Sequence, residues 1–201
     1  SADWLNAFPI VATTSCAQPK RHILPHASPR IGRRTASKEK SFARRNSRAS
    51  QGAKEFGNKV HDLFESIHTI EDSQTLPESS HAEVVKSALA LPESQHWFGN
   101  HPNTEILREQ AIEAIDPNGT WFSGVIDRAI IHFDENMRAI KAEILDYKTD
   151  SINSVDELKE RYTSQLGSYA KVLSSVYQLP SSAIRATLLS TKLNTYIELD
   201  L

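Results

Sequence analysis

The sequence predicts an α/β fold, a mixed central β-sheet flanked by helices. Three observations carry this. Segments 52–70 and 154–178 repeat apolar residues at helical spacing. Segments 104–115, 121–133 and 139–148 move towards a period of two, the mark of half-buried strands. Along the chain the order is helix, helix, three strands, helix, two strands.

Residues 1–50 have little periodicity, and Pro9, Pro19, Pro25 and Pro29 interrupt any helix. Trp4, Leu5, Phe8, Ile10 and Val11 form a short apolar patch suited to docking on a core or a neighbouring domain. The segment is read as an extended basic arm or linker, ahead of a domain at 51–201. The first helix, 52–70, carries Phe56, Val60, Leu63, Phe64, Ile67 and Ile70 on one stripe. His61 falls roughly 60° beyond the edge of that stripe, where it can look into a cleft between helix and sheet. Gly57, one turn earlier, permits close backbone approach. His68, two turns on, is a weaker candidate on the same side. A second helix, 80–91, follows the break at Pro77 and carries Val84, Val85, Ala88 and Leu89.

The run His96-Trp97-Phe98-Gly99-Asn100-His101-Pro102 reads as a packed loop rather than a zinc site, because structural zinc wants four ligands. Segment 104–115 is an edge strand that ends at the turn Asp116-Pro117-Asn118-Gly119, and Glu109 within it is placed to approach a site. Segment 121–133 is a stronger strand on which Val125, Asp127, Ala129 and Ile131 share a face. An acid in such a row costs several kcal/mol to bury unless it is paired or metal-bound. A turn at Asp134-Glu135-Asn136 returns the chain as strand 139–148. The helix at 154–178 holds Gln165 and Tyr169 one turn apart on the same face, Pro180 stops it, and strands 184–190 and 195–199 close the chain.

Composition bounds the function. The 201 residues are 39% hydrophobic and 24% charged, as in a folded protein. No apolar run approaches the ~20 residues of a membrane helix, so no membrane partner is expected. Asp3 and Trp4 break the charged-then-apolar pattern of a signal peptide. Cys16 is the only cysteine, which excludes an intramolecular disulfide, a multi-cysteine zinc site and an iron–sulfur cluster held within this chain. A reducing cytoplasm is the expected compartment. The net charge of −2 hides an asymmetry: ten Lys and Arg against Glu39 alone from Lys20 to Arg48, then thirteen against twenty-three acids from Ala49 onward. Such an arm suits a phosphate backbone, or pairs with the acidic body, or is a solvated linker. The chain begins at Ser1 without a methionine and is expected to be a piece of a longer polypeptide.

Chemistry concentrates at Glu143-Ile144-Leu145-Asp146-Tyr147-Lys148-Thr149. In a strand, Asp146 and Lys148 share a face, with Ile144, Ala142 and Ile140 behind them. A carboxylate beside an ammonium suits metal-assisted attack on a phosphate. Taken alone, Asp-x-Lys is a weak signal, and a structural ion pair at a strand end explains most such pairs.

Four motifs in order add a resemblance. Gly57-x-x-x-His61, Gly124-Val125-Ile126-Asp127-Arg128, Leu145-Asp146-Tyr147-Lys148-Thr149 and Tyr162-x-x-Gln165-x-x-x-Tyr169 resemble the motif series of the RecB-like nucleases of the PD-(D/E)xK superfamily. The likeness covers about residues 50–201 and is greatest to the C-terminal nuclease domain of the RecB and AddA helicase–nuclease subunits. It implies a restriction-endonuclease-like fold and a metal-dependent DNA exonuclease of double-strand-break repair and recombination. By the same resemblance, His61, Asp127, Asp146 and the Tyr147 carbonyl would bind Mg²⁺, or Mn²⁺. Lys148, with Asp127 and Asp146, would be catalytic, and Gln165 and Tyr169 would meet the substrate. The implied partners are DNA, a helicase domain upstream in the parent chain and a partner subunit. The other readings are a silent nuclease fold that only binds DNA or a partner, and a stand-alone nuclease of the same superfamily.

Overall fold

The computed structural model describes residues 33–35, 48–115 and 121–201. The apolar patch at Trp4–Val11, Cys16, most of the basic segment and the Asp116–Gly119 turn lie outside the described residues. Within the segment read as an arm, Arg33–Thr35 forms a short strand, β1. Apart from the added helix α3, the remaining elements follow the expected order: α1 (Arg48–Ser66), α2 (Ser80–Leu89), α3 (Ser94–Phe98), β2 (Thr104–Ile115), β3 (Trp121–Phe133), β4 (Ala139–Lys148), α4 (Val155–Tyr177), β5 (Ile184–Ser190) and β6 (Thr195–Leu199). Among the described residues no helix is long and apolar enough to cross a membrane.

The six strands of the described residues form one mixed sheet. β2 lies antiparallel along one edge of β3 from Ile115↔Trp121 to Thr104↔His132. The other edge of β3 is shared. β4 pairs antiparallel with it from Phe133 back to Arg128↔Leu145, and β1 pairs parallel with Trp121–Ser123. Between those two pairings lies Asp127. β4 continues parallel to β5, through the α4 crossover, and β6 closes the sheet antiparallel to β5.

Each face of the sheet has its own core. On one, Tyr162, Leu166 and Tyr169 of α4 meet Ile126, Ala129, Ile131, Ala142 and Ile144. On the other, Val60, Phe64 and Ile67 of α1, with Val85, Ala88, Trp97 and Phe98, meet Ile130, Leu145 and Tyr147. Strand alternation explains the division along β4: Ala142 and Ile144 point one way, Leu145 and Tyr147 the other. α4 is well started. Ser154 accepts the Glu157 N–H, and Asp156 and Glu157 complement the helix dipole in its first turn.

Several expectations are corrected. α1 ends at Ser66 rather than near residue 70, and Ile70 opens a 3₁₀ turn, Ile70–Thr75. The stop is made from elsewhere in the chain. The Asp72 carboxylate takes the N–H groups of His68 and Thr69 at 2.8 and 2.9 Å. Arg128 takes the carbonyls of Ile67 and His68, and Arg108 takes that of Glu65. Second, α2 ends at Leu89, and the His96–Phe98 stretch is helical, not loop. Third, the face shared by Val125 and Asp127 breaks. Val125 is 40% exposed, and Ile126 joins Ala129 and Ile131 in the core. The break lies opposite Glu109, which adopts a left-handed backbone, φ 43°, where the β2–β3 ladder passes from Arg108↔Arg128 to Gln110↔Ile126. On β4, Ile140 is 55% exposed, so the apolar backing of Asp146 and Lys148 begins at Ala142.

Candidate active site

The last β3–β4 pair is Arg128↔Leu145, and beyond it Tyr147 needs another acceptor for its backbone N–H. Asp127 provides one: its Oδ2 accepts the Tyr147 N–H at 2.7 Å. This explains an acid that is only 8% exposed. The same oxygen lies 3.5 Å from His61 Nδ1. His61 in turn lies 3.8 Å from Glu109 Oε1. One ligand atom from each of His61, Glu109 and Asp127 falls within 4.8 Å of the others.

Each side chain reaches this point for a local reason. His61 sits at the edge of the α1 stripe, half-buried, with its ring edge-on to Tyr147 at 5.7 Å. Tyr147 points into the α1 layer and stacks on Phe64 at 4.2 Å. The α1 backbone can approach because Gly57 faces Thr149: a Cβ there would stand 2.8 Å from the threonine Oγ1. Glu109 comes in through its left-handed backbone. Sequence periodicity brings Glu109 near the site without giving it a role, and no spacing rule foretells a positive φ on glutamate.

On the α4 face, Lys148 Nζ is ion-paired with Asp146 Oδ2, and both side chains are buried. Gln165 Nε2 donates to Tyr169 Oη at 2.8 Å and lies 3.5 Å from Asp146 Oδ1. The Lys148 carbonyl accepts the Thr191 N–H at 2.9 Å, which fixes the end of β4. The structure therefore brings His61, Asp127 and Glu109 together, places Asp146 with Lys148, Gln165 and Tyr169, and joins the two groups through Tyr147. His68 stays outside, its backbone serving the Arg128 and Asp72 bonds, while Glu65, whose carbonyl serves Arg108, lines the cavity beside the cluster. His96 and His101 do not converge on a shared ligand position. His96 Nε2 meets Glu143 at 3.2 Å, while His101 Nε2 meets the His96 carbonyl.

Electrostatics follow from burial and charge. For His61, burial alone would lower the pKa, but the adjacent Asp127 and Glu109 carboxylates outweigh it and push it up to about 10. For Lys148, burial also disfavours the charged form, and Asp146 and Asp127 reverse that and raise its pKa. Burial pushes Tyr169 up to about 12, helped by Asp146. A cavity of about 720 Å³ opens beside the cluster, lined among others by Gly57, His61, Glu109, Thr149 and Asp150. Its charged lining is Lys54 and the protonated His61 against Asp62, Glu65, Glu109 and Asp150. Such a wall repels a bare phosphate and attracts a cation.

One imidazole and two carboxylates, with a buried Glu109 Oε1 that has no hydrogen-bond partner among the described residues, fit a divalent ion. The donor set is oxygen-rich, which suits Mg²⁺ or Mn²⁺. An acid–tyrosine–lysine strand end beside this set, on a mixed sheet between helices, defines a nuclease of the PD-(D/E)XK kind. The chain belongs to the PD-(D/E)XK nuclease superfamily, whose family model matches residues 34–197.

Curated relatives are more distant. The chain is 28% identical over 151 residues to an ATP-dependent helicase/nuclease subunit of Streptococcus mutans, covering 66% of this chain and 12% of that protein. The subunit of the same name from Streptococcus pyogenes serotype M3 is 31% identical over 152 residues, covering 66% and 12%. That from Streptococcus thermophilus is 29% identical over 142 residues, covering 61% and 11%. The chain thus spans about an eighth of the length of these relatives.

Proposed function

We propose that this chain is a Mg²⁺-dependent deoxyribonuclease domain that hydrolyses phosphodiester bonds, in the exonuclease mode of a helicase–nuclease. The observation that carries this reading is the pairing of two sites through Tyr147: a His61–Glu109–Asp127 ligand set on one side and the Asp146–Lys148 pair on the other. His61, Glu109 and Asp127 would hold the ion, and Asp146 and the Tyr147 carbonyl would complete its ligands. When bound, the ion neutralises the scissile phosphate and acidifies the attacking water.

The chain's own residues do the rest. Lys148 is held as an ammonium by Asp146, so it steadies the water and the charge growing on phosphorus rather than removing a proton. Asp127 locks the Tyr147 backbone, which fixes the separation of Asp146 and Lys148 from the ligand set. Gln165 and Tyr169 wall the α4 side and keep Asp146 oriented while meeting the strand. The acidic cavity excludes phosphate until a cation occupies it, which makes productive DNA binding conditional on the ion. The substrate is DNA. The likeness to subunits named helicase/nuclease supports a motor domain carried elsewhere in the parent chain and a partner subunit; the role in double-strand-break repair and recombination rests on the motif resemblance.

End-labelled single- and double-stranded DNA, incubated with the chain and Mg²⁺, tests the reading. Shortened products bearing 5′-phosphates are expected. They should vanish with a chelator and in Asp146→Ala. Cleavage that survives Asp146→Ala would overturn the assignment.

A further inference from the structure

We propose that Tyr162 is a positioning residue that seats the Lys148 ammonium against the face of its ring. The inference rests on the nuclease reading, in which Lys148 faces the reacting phosphate. Lys148 Nζ lies 4.4 Å from the Tyr162 ring centroid, within the range of a cation–π contact. Both partners are withdrawn from water: Tyr162 is 0% exposed and Lys148 is 8% exposed. Desolvation strengthens such a contact, because water no longer competes for the cation.

A lysine has four rotatable bonds, and one carboxylate does not fix the direction of its ammonium. Asp146 sits two residues away on the same strand and holds Nζ from the side of β4. Tyr162 belongs to α4 and holds it from the opposite layer. Its own position is rigid, since it lies in the core formed with Ala142, Ile144 and Leu166. The ammonium therefore lies against both a carboxylate and a π face. Tyr162 touches neither phosphate nor ion in this account. It acts through Lys148.

Two measurements test this. Tyr162 is replaced by Phe and then by 4-fluoro-, 3,5-difluoro- and 3,4,5-trifluorophenylalanine, which keep the ring's shape while draining charge from its face. The expected result is a stepwise fall in kcat relative to Y162F, reaching about tenfold for the trifluoro ring and for Tyr162→Leu. KM and Mn²⁺ affinity should stay within about twofold. A flat rate across the fluorinated series would overturn the proposal and leave Tyr162 as packing.

The second readout does not need activity. In the metal-free parent, the Lys148 ε-methylene protons should appear upfield through the ring current of Tyr162, and return to ordinary values in Tyr162→Leu. An unshifted Lys148 in the folded parent would also overturn it. If the parent cleaves no DNA while the upfield shift is present, the nuclease reading fails and the seating of Lys148 stands.

Discussion

Asp127 is the residue on which the two layers converge. Its carboxylate replaces a lost ladder partner for the Tyr147 N–H and faces His61 across the sheet end. Its importance was legible from sequence, as an acid in an apolar strand. Glu109 was legible only as a neighbour, because its aim depends on a left-handed backbone that strand alternation does not encode. The pKa of His61 gives a test at this scale. With its folded value raised to about 10, His61 is protonated at neutral pH in the metal-free protein. A ligand must be deprotonated, so ion uptake should release a proton and affinity should rise with pH. Calorimetric Mn²⁺ titrations in buffers of different ionisation enthalpy will read that proton, and identical heats after dilution correction would contradict it. The sign for stability follows as well. A raised folded pKa stabilises fully below the ordinary 6.5 and is lost as pH climbs towards about 10, so metal-free protein should weaken across that window.

Arg128 makes the same point about long-range causes. Its guanidinium is 1% exposed and donates to the carbonyls of Trp97, Ile67 and His68 at 2.9, 3.0 and 3.0 Å, over the face of Phe98. Burial lowers its pKa, and the neighbouring Tyr147 hydroxyl works against that. Arg128→Met would leave those carbonyls unpaired, at about 1–3 kcal/mol each before relaxation. A net loss of about 2–4 kcal/mol in urea unfolding is expected.

At the scale of elements, α1 shows what a stripe can and cannot tell. Phe56, Val60, Phe64 and Ile67 were legible as one apolar face and do line the core. The end of the helix was not, because its caps come from Arg108 and Arg128 on strands some 40 to 60 residues away. The seat of α1 against β4 depends on Gly57. In an open helix position Ala is better than Gly by about 1 kcal/mol, and Gly52 has nothing within 4 Å of an added Cβ. Gly52→Ala should therefore raise the urea midpoint. Gly57→Ala places a Cβ 2.8 Å from Thr149 Oγ1 and should lower cleavage about tenfold by shifting His61. Gly57→Ala with Thr149→Ala removes that oxygen and should restore most of the rate. Failure of the double variant to recover would place the loss elsewhere.

At the scale of the whole molecule, the order of elements was legible and the order of strands was not. Period-two runs mark strands without saying which edge each one takes, and the sharing of one β3 edge by β1 and β4 is a tertiary fact. That sharing leaves Asp127 in the gap between two pairings, where its side chain can serve both the Tyr147 backbone and His61. The sheet thus brings His61 of α1, Glu109 of β2 and Asp127 of β3 to the end of β4, and α4 covers Lys148 from the other face. The acidic charge of the described cavity wall complements the ion rather than the DNA.

The central claim is that Lys148 acts on a phosphate held by an ion bound next to it. The most direct test compares parent and Lys148→Ala on end-labelled DNA in Mg²⁺, with Mn²⁺ binding measured on the same samples. The account predicts unchanged ion binding and cleavage slowed by about a hundredfold or more. Cleavage at the parental rate by Lys148→Ala would contradict it.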